Sequence, residues 1–123
     1  MDLIVGGAYQ GKKEYVRQTY HLKEEEMGDG GTIPLEQMNA YPCLYNTHLL
    51  IKRLMSEEIN PLKIAEDLSK MSVVILDEIG CGIIPMEANE RRYREMVGQT
   101  GCLLADKADR VVRVCCGIST TIK

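Results

Sequence analysis

The sequence contains no tryptophan and no phenylalanine, so six tyrosines are the only aromatic residues among its 123. Proteins that bind single-stranded nucleic acid commonly stack the bases on aromatic side chains, and this chain offers few of them. The formal net charge is -3, whereas proteins that grip nucleic acid by electrostatics carry a strongly basic surface. We therefore expect no nucleic-acid partner.

The chain also lacks any apolar run near the length of a membrane span, and its first residues do not resemble a secretory leader. No Cys-x-x-Cys pair occurs, and no histidines stand at zinc-ligand spacing. We expect no metal site, a cytoplasmic location, and reduced thiols that fill the core as small apolar groups. The five cysteines are Cys43, Cys81, Cys102, Cys115 and Cys116.

What the chain does contain is an ordinary mixture of 45% hydrophobic and 27% charged residues, enough for one core. Short continuous apolar runs are typical of strands buried on both faces of a parallel sheet, and they predict strands at 2–6, 72–76 and 111–116, with an edge strand at 119–123. Helical spacing predicts helices at 12–20, 44–58 and 87–108, and another that starts at Asn60-Pro61. We expect residues 1–123 to form a single α/β domain with a mainly parallel sheet and an irregular excursion at about 21–42.

A glycine-rich segment follows the first predicted strand. Gly6, Gly11 and Lys12 complete the pattern Gly-x-x-x-x-Gly-Lys of a phosphate-binding loop. In such a loop, backbone N–H groups and the N-terminus of the next helix face a phosphate, and the lysine pairs with the outer phosphates. Lys13 stands where a Ser or Thr normally holds Mg²⁺, so the pattern supports nucleotide binding more than catalysis. The alternative is a plain strand-to-helix turn with two exposed lysines.

The second candidate segment follows the predicted strand at 72–76. Asp77 and Glu78 satisfy a loose Walker B pattern, in which the first acid holds Mg²⁺ and the second polarises a nucleophile. Two solvated carboxylates at a strand end are the alternative. The segment that follows contains Gly80, Gly82 and Pro85, which predict an irregular backbone that lets a ligand approach the main chain. The alternative is a tight connector without a ligand.

Two histidines complete the candidate chemistry. His48 stands beside the apolar stripe of its predicted helix, which favours a core or boundary position over a catalytic one. His21 stands at the start of the irregular excursion, where we expect it to be exposed.

Both glycine-rich segments resemble those of one known family. Residues 77–85 run Asp-Glu-Ile-Gly-Cys-Gly-Ile-Ile-Pro, and residues 6–12 run Gly-Gly-Ala-Tyr-Gln-Gly-Lys. They are similar to the Asn-Glu-Val-Gly-x-Gly-Ile-Val-Pro and Gly-Gly-Ala-Arg-Ser-Gly-Lys segments of the adenosylcobinamide kinase / adenosylcobinamide-phosphate guanylyltransferase family of cobalamin biosynthesis. The register continues through Arg91, Tyr93, Arg94, Gly98, Leu103, Ala105, Ala108 and Asp109 to a similar closing strand, Gly-Ile turn and Ile-Lys end at 114–123.

The sequence departs from the family at residues that would take part in the chemistry. Lys13 replaces the serine that ends the family's phosphate loop, and Asp77 replaces its asparagine. Members are longer between the phosphate loop and the central strand, where they carry a second strand, the histidine that accepts the guanylyl group and an acidic Walker B strand. Pro42 stands at the position of that acid, and no histidine lies between His21 and His48. The resemblance thus places the strand before Asp77 outside the Walker B role.

The resemblance implies a P-loop, RecA-like three-layer sandwich and a transferase that phosphorylates the aminopropanol hydroxyl of adenosylcobinamide with ATP or GTP and then transfers GMP. Mg²⁺ would lack its usual hydroxyl ligand. The implied partners are a nucleotide, the corrinoid and further copies of the chain. Lys12 and Glu78 are the implied catalytic residues, and the nucleotide would be held by Gly6, Gly7, Ala8, Gln10, Gly11, Lys12, Lys13, Gly80, Gly82 and Pro85. The alternative is a binding protein of the same fold that has lost turnover.

Overall fold

The computed structural model describes residues 1–79 and 87–123. In this part of the chain six strands form one sheet in the order β2-β3-β4-β1-β5-β6. The first five strands are parallel to their neighbours, and β6 pairs antiparallel with β5. The strands are β1 Asp2–Gly6, β2 Met27–Asp29, β3 Cys43–Tyr45, β4 Val73–Asp77, β5 Arg110–Cys115 and β6 Ile118–Thr121.

Helices cover both faces of this sheet, and the fold is the predicted mainly parallel α/β sandwich. They are α1 Lys12–Tyr20, α2 Thr47–Ser56, α3 Ala65–Leu68 and α4 Ala88–Lys107, with 3-10 turns at Glu24–Glu26, Leu35–Ala40 and Pro61–Ile64. The turn that leads into α3 starts as predicted, because the Asn60 side chain accepts a hydrogen bond from the Leu62 N–H and Pro61 follows it.

Strand alternation divides the core into two layers. Val74 and Leu76 of β4 face the layer formed with α2, α3 and α4, whereas Val73 and Ile75 face the layer beneath α1. Both sets are buried, as the continuous apolar run predicted. The central strands are therefore fixed from both sides, and their carboxyl ends meet at one edge of the sheet.

Two short strands correct the prediction. Leu44 was assigned to a helix, but Cys43–Tyr45 form β3 and α2 begins only at Thr47, after a left-handed turn at Asn46 with φ 54°. The excursion at 21–42 likewise contains β2, at Met27–Asp29. A strand of three residues is too short to show a periodicity in the sequence.

The cysteines also depart from the prediction. Cys43 is buried in β3, and its burial raises the pKa of the thiol to about 12. Cys102, Cys115 and Cys116 are exposed free thiols instead of core residues. Cys102 lies on the outer side of α4, and Cys115 and Cys116 lie at the β5–β6 turn, where no described element covers them. Cys81 lies outside the described residues.

Candidate functional site

The predicted phosphate loop connects the end of β1 to the start of α1. Its backbone turns through two left-handed residues, Tyr9 with φ 59° and Gly11 with φ 94°. The second is the residue that caps α1, and the Tyr15 N–H donates to its carbonyl at 3.0 Å. A glycine adopts such a conformation without the steric penalty that a side chain brings. The helix N-terminus, with its unpaired N–H groups, therefore faces the carboxyl edge of the sheet.

Lys12 lies at the centre of this edge. Its side chain is only 6% exposed, and its Nζ atom is 2.6 Å from the Gly7 carbonyl oxygen and 2.9 Å from Asp77 Oδ1. β1 and β4 are neighbours with Gly6 opposite Asp77, so the register itself brings the lysine and the carboxylate together. A buried ammonium requires such partners, because an unpaired buried charge is strongly unfavourable.

Lys13 points to a different group of partners. Its Nζ is 2.6 Å from Glu24 Oε1 and 4.1 Å from the centre of the Tyr45 ring. Partial burial disfavours the charge of Lys13, but the Glu24 hydrogen bond and the attraction of Tyr45 and Glu24 outweigh it and raise the pKa of Lys13. The residue at the hydroxyl position is thus a fixed cation at the rim of the site.

His48, in the first turn of α2, lies on the other side of Asp77. Its Nε2 is 3.8 Å from Asp77 Oδ2, and its side chain is 15% exposed. The Nδ1 atom is buried and has no hydrogen-bond partner among the described residues. Burial lowers the pKa of His48, although the negative charge of Asp77 opposes this. Sequence reasoning placed His48 at the core boundary and missed that it faces the site.

The lowered pKa of His48 predicts a loss of stability in mild acid. His48 of the unfolded chain binds a proton more readily than His48 of the folded chain. Its contribution to the free energy of unfolding is therefore fully present above the ordinary pKa of 6.5 and is lost as the pH falls below that value. We expect His48→Gln to lose less stability than the wild type between neutral pH and about pH 5.5 in urea unfolding. The control is the exposed His21→Asn, which should behave like the wild type; equal pH dependence in His48→Gln would contradict the assignment.

Asp29, at the end of β2, lies at the edge of the site, and the sequence analysis did not identify it as a candidate residue. Its Oδ1 accepts hydrogen bonds from the Gly31 N–H at 2.8 Å and from Asn46 Nδ2 at 3.0 Å. Arg53 fastens the same loop by donating to the carbonyls of Gly30 and Ile33, both at 2.9 Å. The one available signal was an acid followed by two glycines, which lie within the predicted irregular excursion at about 21–42.

Gln10 connects the phosphate loop to the β5–β6 turn. Its side-chain Oε1 accepts from the Cys116 N–H at 2.6 Å, and its carbonyl accepts from the Gly117 N–H at 2.8 Å. Both turn residues have positive φ, 52° and 76°, which is typical of a tight hairpin turn. Gln10 therefore holds the loop in position, while its amide is directed at the hairpin.

Glu78 lies at the end of β4 but not beside Lys12. Its backbone N–H donates to the Gly6 carbonyl at 2.7 Å, and its carboxylate contacts Arg113 of β5 at 3.2 Å. The structure therefore brings Lys12 and Asp77 together and turns Glu78 toward the other side of β1. The predicted ligand-binding residues Gly80, Gly82 and Pro85 lie outside the described residues.

A cavity of about 710 Å³ opens between the phosphate loop and the start of α2. Three cations, Lys12, Lys13 and Arg17, line it together with two acids, Glu14 and Asp77. We call it the phosphate-loop cavity. Its remaining lining residues are Ala8, Tyr9, Gln10, Gly11, Tyr45, Asn46, His48, Leu49 and Ile75.

The strand order and the strand–loop–helix unit at the centre of the sheet define the fold as that of the P-loop α/β proteins. One strand, β4, lies between β1 and β3. The family model of cobinamide kinase / cobinamide phosphate guanyltransferase matches residues 39–122, well over half of the chain. The protein belongs to that family of cobalamin-biosynthesis transferases, as the resemblance predicted.

The matched range begins after the predicted phosphate loop, which the family model does not cover. Comparison with curated proteins finds no match. Within residues 1–79 and 87–123, no helix has the length and apolar character needed to cross a membrane.

Proposed function

We propose that this protein binds ATP or GTP at the phosphate loop and transfers the terminal phosphoryl group to the hydroxyl of a cobinamide. The observation that carries the proposal is the position of Lys12, enclosed by its own loop at the carboxyl edge of a parallel sheet. Ligands of open α/β sheets bind at this edge. In this proposal Gly6, Gly7, Ala8 and Gly11 shape the phosphate cradle, and Gln10 holds it against the β5–β6 turn.

Positive charge is what phosphoryl transfer chiefly requires from a protein, since the reaction needs neutralisation and positioning more than covalent chemistry. Lys12, Lys13 and Arg17 line the phosphate-loop cavity. Lys12 would pair with the outer phosphates while it keeps its contact with Asp77, and Lys13 would neutralise charge at the rim.

The residues at this edge do not fit a protein-held Mg²⁺. An ammonium stands at the usual hydroxyl position and is paired with Glu24. The Asp77 carboxylate is already shared between Lys12 and His48. We therefore propose that protein cations, instead of a protein-held metal, neutralise the phosphates.

Replacement of Lys13 by serine tests this proposal. We expect the wild type to bind ATP or GTP with an affinity that Mg²⁺ changes by less than about twofold, and Lys13→Ser to bind more tightly with Mg²⁺, because a hydroxyl at this position is a normal Mg²⁺ ligand. Lys13→Ala is the matched control, since it also removes the Glu24 contact but supplies no oxygen. Equal Mg²⁺ dependence in Lys13→Ala and Lys13→Ser would contradict the proposal.

The proposal does not extend to the guanylyl step. His21 lies at the C-terminal end of α1, opposite to the end that faces the phosphate loop, and does not line the phosphate-loop cavity. His48 has its Nδ1 buried, and the nearby carboxylate of Asp77 favours a proton on its Nε2. Neither nitrogen of His48 then presents a lone pair to a nucleotide.

A second candidate function is nucleotide or corrinoid binding without turnover. The contact between Glu78 and Arg113 favours it, because it directs this carboxylate away from Lys12.

We further propose that residues 1–123 form one domain and associate with further copies. The edge strand β6 supports association, since all four of its residues are exposed.

The deciding experiment supplies ATP or GTP labelled at the terminal phosphate, together with cobinamide, with and without Mg²⁺, and separates the corrinoid by chromatography. Transfer of the label to the corrinoid by the wild type, but not by Lys12→Ala, is the result we expect. Nucleotide binding without any labelled corrinoid would favour the second candidate.

A further inference from the structure

A second cavity, of about 690 Å³, lies between α2 and α4 and has no part in the site described above. The C-terminal half of α2, the turn that follows it and the N-terminal half of α4 form its walls. We call it the α2–α4 cavity. It is lined by Lys52, Met55, Ser56, Glu58, Ile59, Asn60, Pro61, Asn89, Glu90, Arg92, Tyr93 and Met96.

The lining of this cavity suits a large ligand of low net charge. Among the described residues that line it, two basic side chains, Lys52 and Arg92, are balanced by two acids, Glu58 and Glu90. This balance differs from the three cations and two acids of the phosphate-loop cavity, so a triphosphate gains little here.

The uncharged residues of the lining divide into apolar and hydrogen-bonding groups. Met55, Ile59, Pro61 and Met96 supply apolar contact, and methionine side chains adapt to irregular ligand surfaces. Asn89 supplies an amide, Asn60 supplies the NH₂ group that its cap to Leu62 leaves over, and the Ser56 hydroxyl, which donates to the Arg53 carbonyl, can still accept. A ligand with a broad apolar face and a rim of amides would match both groups, and a corrin ring with its amide side chains has this character.

Tyr93 connects the two cavities. Its ring lies in the α2–α4 cavity, where the Lys52 Nζ is 5.5 Å from the ring centre, and its hydroxyl donates to the His48 carbonyl at 3.0 Å. Burial raises the pKa of Tyr93 to about 12, so it stays a donor at neutral pH. His48 itself lines the phosphate-loop cavity. Ser56 follows His48 by eight residues, or about 12 Å along a helix.

We propose that the α2–α4 cavity binds the corrinoid acceptor, with the macrocycle against Met55, Ile59 and Met96 and its hydroxyl-bearing arm directed along α2 toward Lys12. This inference rests on the proposed function, because that function supplies the corrinoid. It adds a location for the acceptor that is separate from the nucleotide phosphates, and it assigns Ser56, Asn89 and Tyr93 to that location.

Equilibrium dialysis of the purified chain against dicyanocobinamide, measured by the corrinoid's own visible absorption, tests the location. Ser56→Trp and Asn89→Trp each place a large ring on an exposed cavity wall, and we expect each to weaken corrinoid binding by about tenfold or more, or about 1.4 kcal/mol. Arg91→Trp is the matched control, because Arg91 is exposed on the same helix and does not line the cavity. It should bind the corrinoid like the wild type.

Nucleotide titrations of the same variants distinguish a failure of this inference from a failure of the proposed function. We expect Ser56→Trp to keep wild-type GTP and ATP affinity, and Lys12→Ala to keep corrinoid affinity within about twofold while it loses nucleotide binding. Corrinoid binding that is absent in the wild type, unchanged in both tryptophan variants, or lost in Lys12→Ala would overturn the assignment of the cavity. Corrinoid binding without nucleotide binding would support the cavity and overturn the proposed function.

Discussion

Lys12→Ala is expected to weaken ATP and GTP binding by about 100-fold or more, or roughly 3 kcal/mol, because it removes the charge at the centre of the phosphate loop. The side chain is buried against the Gly7 carbonyl and the Asp77 carboxylate, so no neighbouring cation can take its place without moving. Calorimetric titration measures the loss directly.

The control for this prediction is the adjacent lysine. Lys13 is 38% exposed and contacts Glu24, so Lys13→Ala should weaken binding by a smaller factor, about tenfold or less. Thermal unfolding of both variants establishes that they are folded. If the two substitutions weaken binding equally, Lys12 does not have the central role that its burial indicates.

Gly6→Ala is expected to be the most damaging single-methyl change in the loop. A Cβ at Gly6 would lie 2.4 Å from the carbonyl oxygen of Val114, a backbone atom of β5 that cannot turn away. Relief requires β1 and β5 to separate, which we expect to reduce the free energy of unfolding by about 1–3 kcal/mol. The same shift would move the phosphate loop relative to the β5–β6 turn and lower nucleotide affinity.

The neighbouring glycine provides the matched control. Among the described residues, a Cβ at Gly7 meets nothing closer than the Gln10 Cγ at 3.6 Å, which is an ordinary contact. Gly7→Ala should therefore unfold within about 0.5 kcal/mol of the wild type, as most substitutions without a clash do. Urea unfolding of the pair measures the difference, and equal stabilities would show that the β1–β5 contact at Gly6 is not tight.

The long elements of the fold were predictable from the sequence, because their signals are local. Continuous apolar runs indicated β1, β4 and β5, and helical spacing indicated α4 within one residue at each end. Local patterns predicted neither β2 nor β3, although the resemblance placed Pro42 at the position of an acid in a family strand. Each has three residues and is stabilised by its place in the sheet, with Leu44 paired to Val74 of β4, so nothing in its own sequence distinguishes it.

Part of the candidate site was likewise predictable from local sequence patterns, and part was not. The loop around Lys12 was predictable because glycine spacing and a following lysine are a local pattern. The partners of that lysine were not, because they come from strand register: Gly6 lies opposite Asp77, and Asp29 lies opposite Tyr45. The turn of Glu78 toward Arg113 depends on β5, which lies on the far side of β1 from β4 and is more than 30 residues away along the chain.

Calorimetric titration of the wild type with GTP, GDP and guanosine, and in parallel with ATP, ADP and adenosine, tests the central claim most directly. If the loop around Lys12 recognises phosphates, the triphosphates bind most tightly, the diphosphates less tightly, and the nucleosides at least about 100-fold more weakly. Nucleosides that bind as tightly as their triphosphates, or no binding of any of the six compounds, would contradict the assignment of this loop as a nucleotide site.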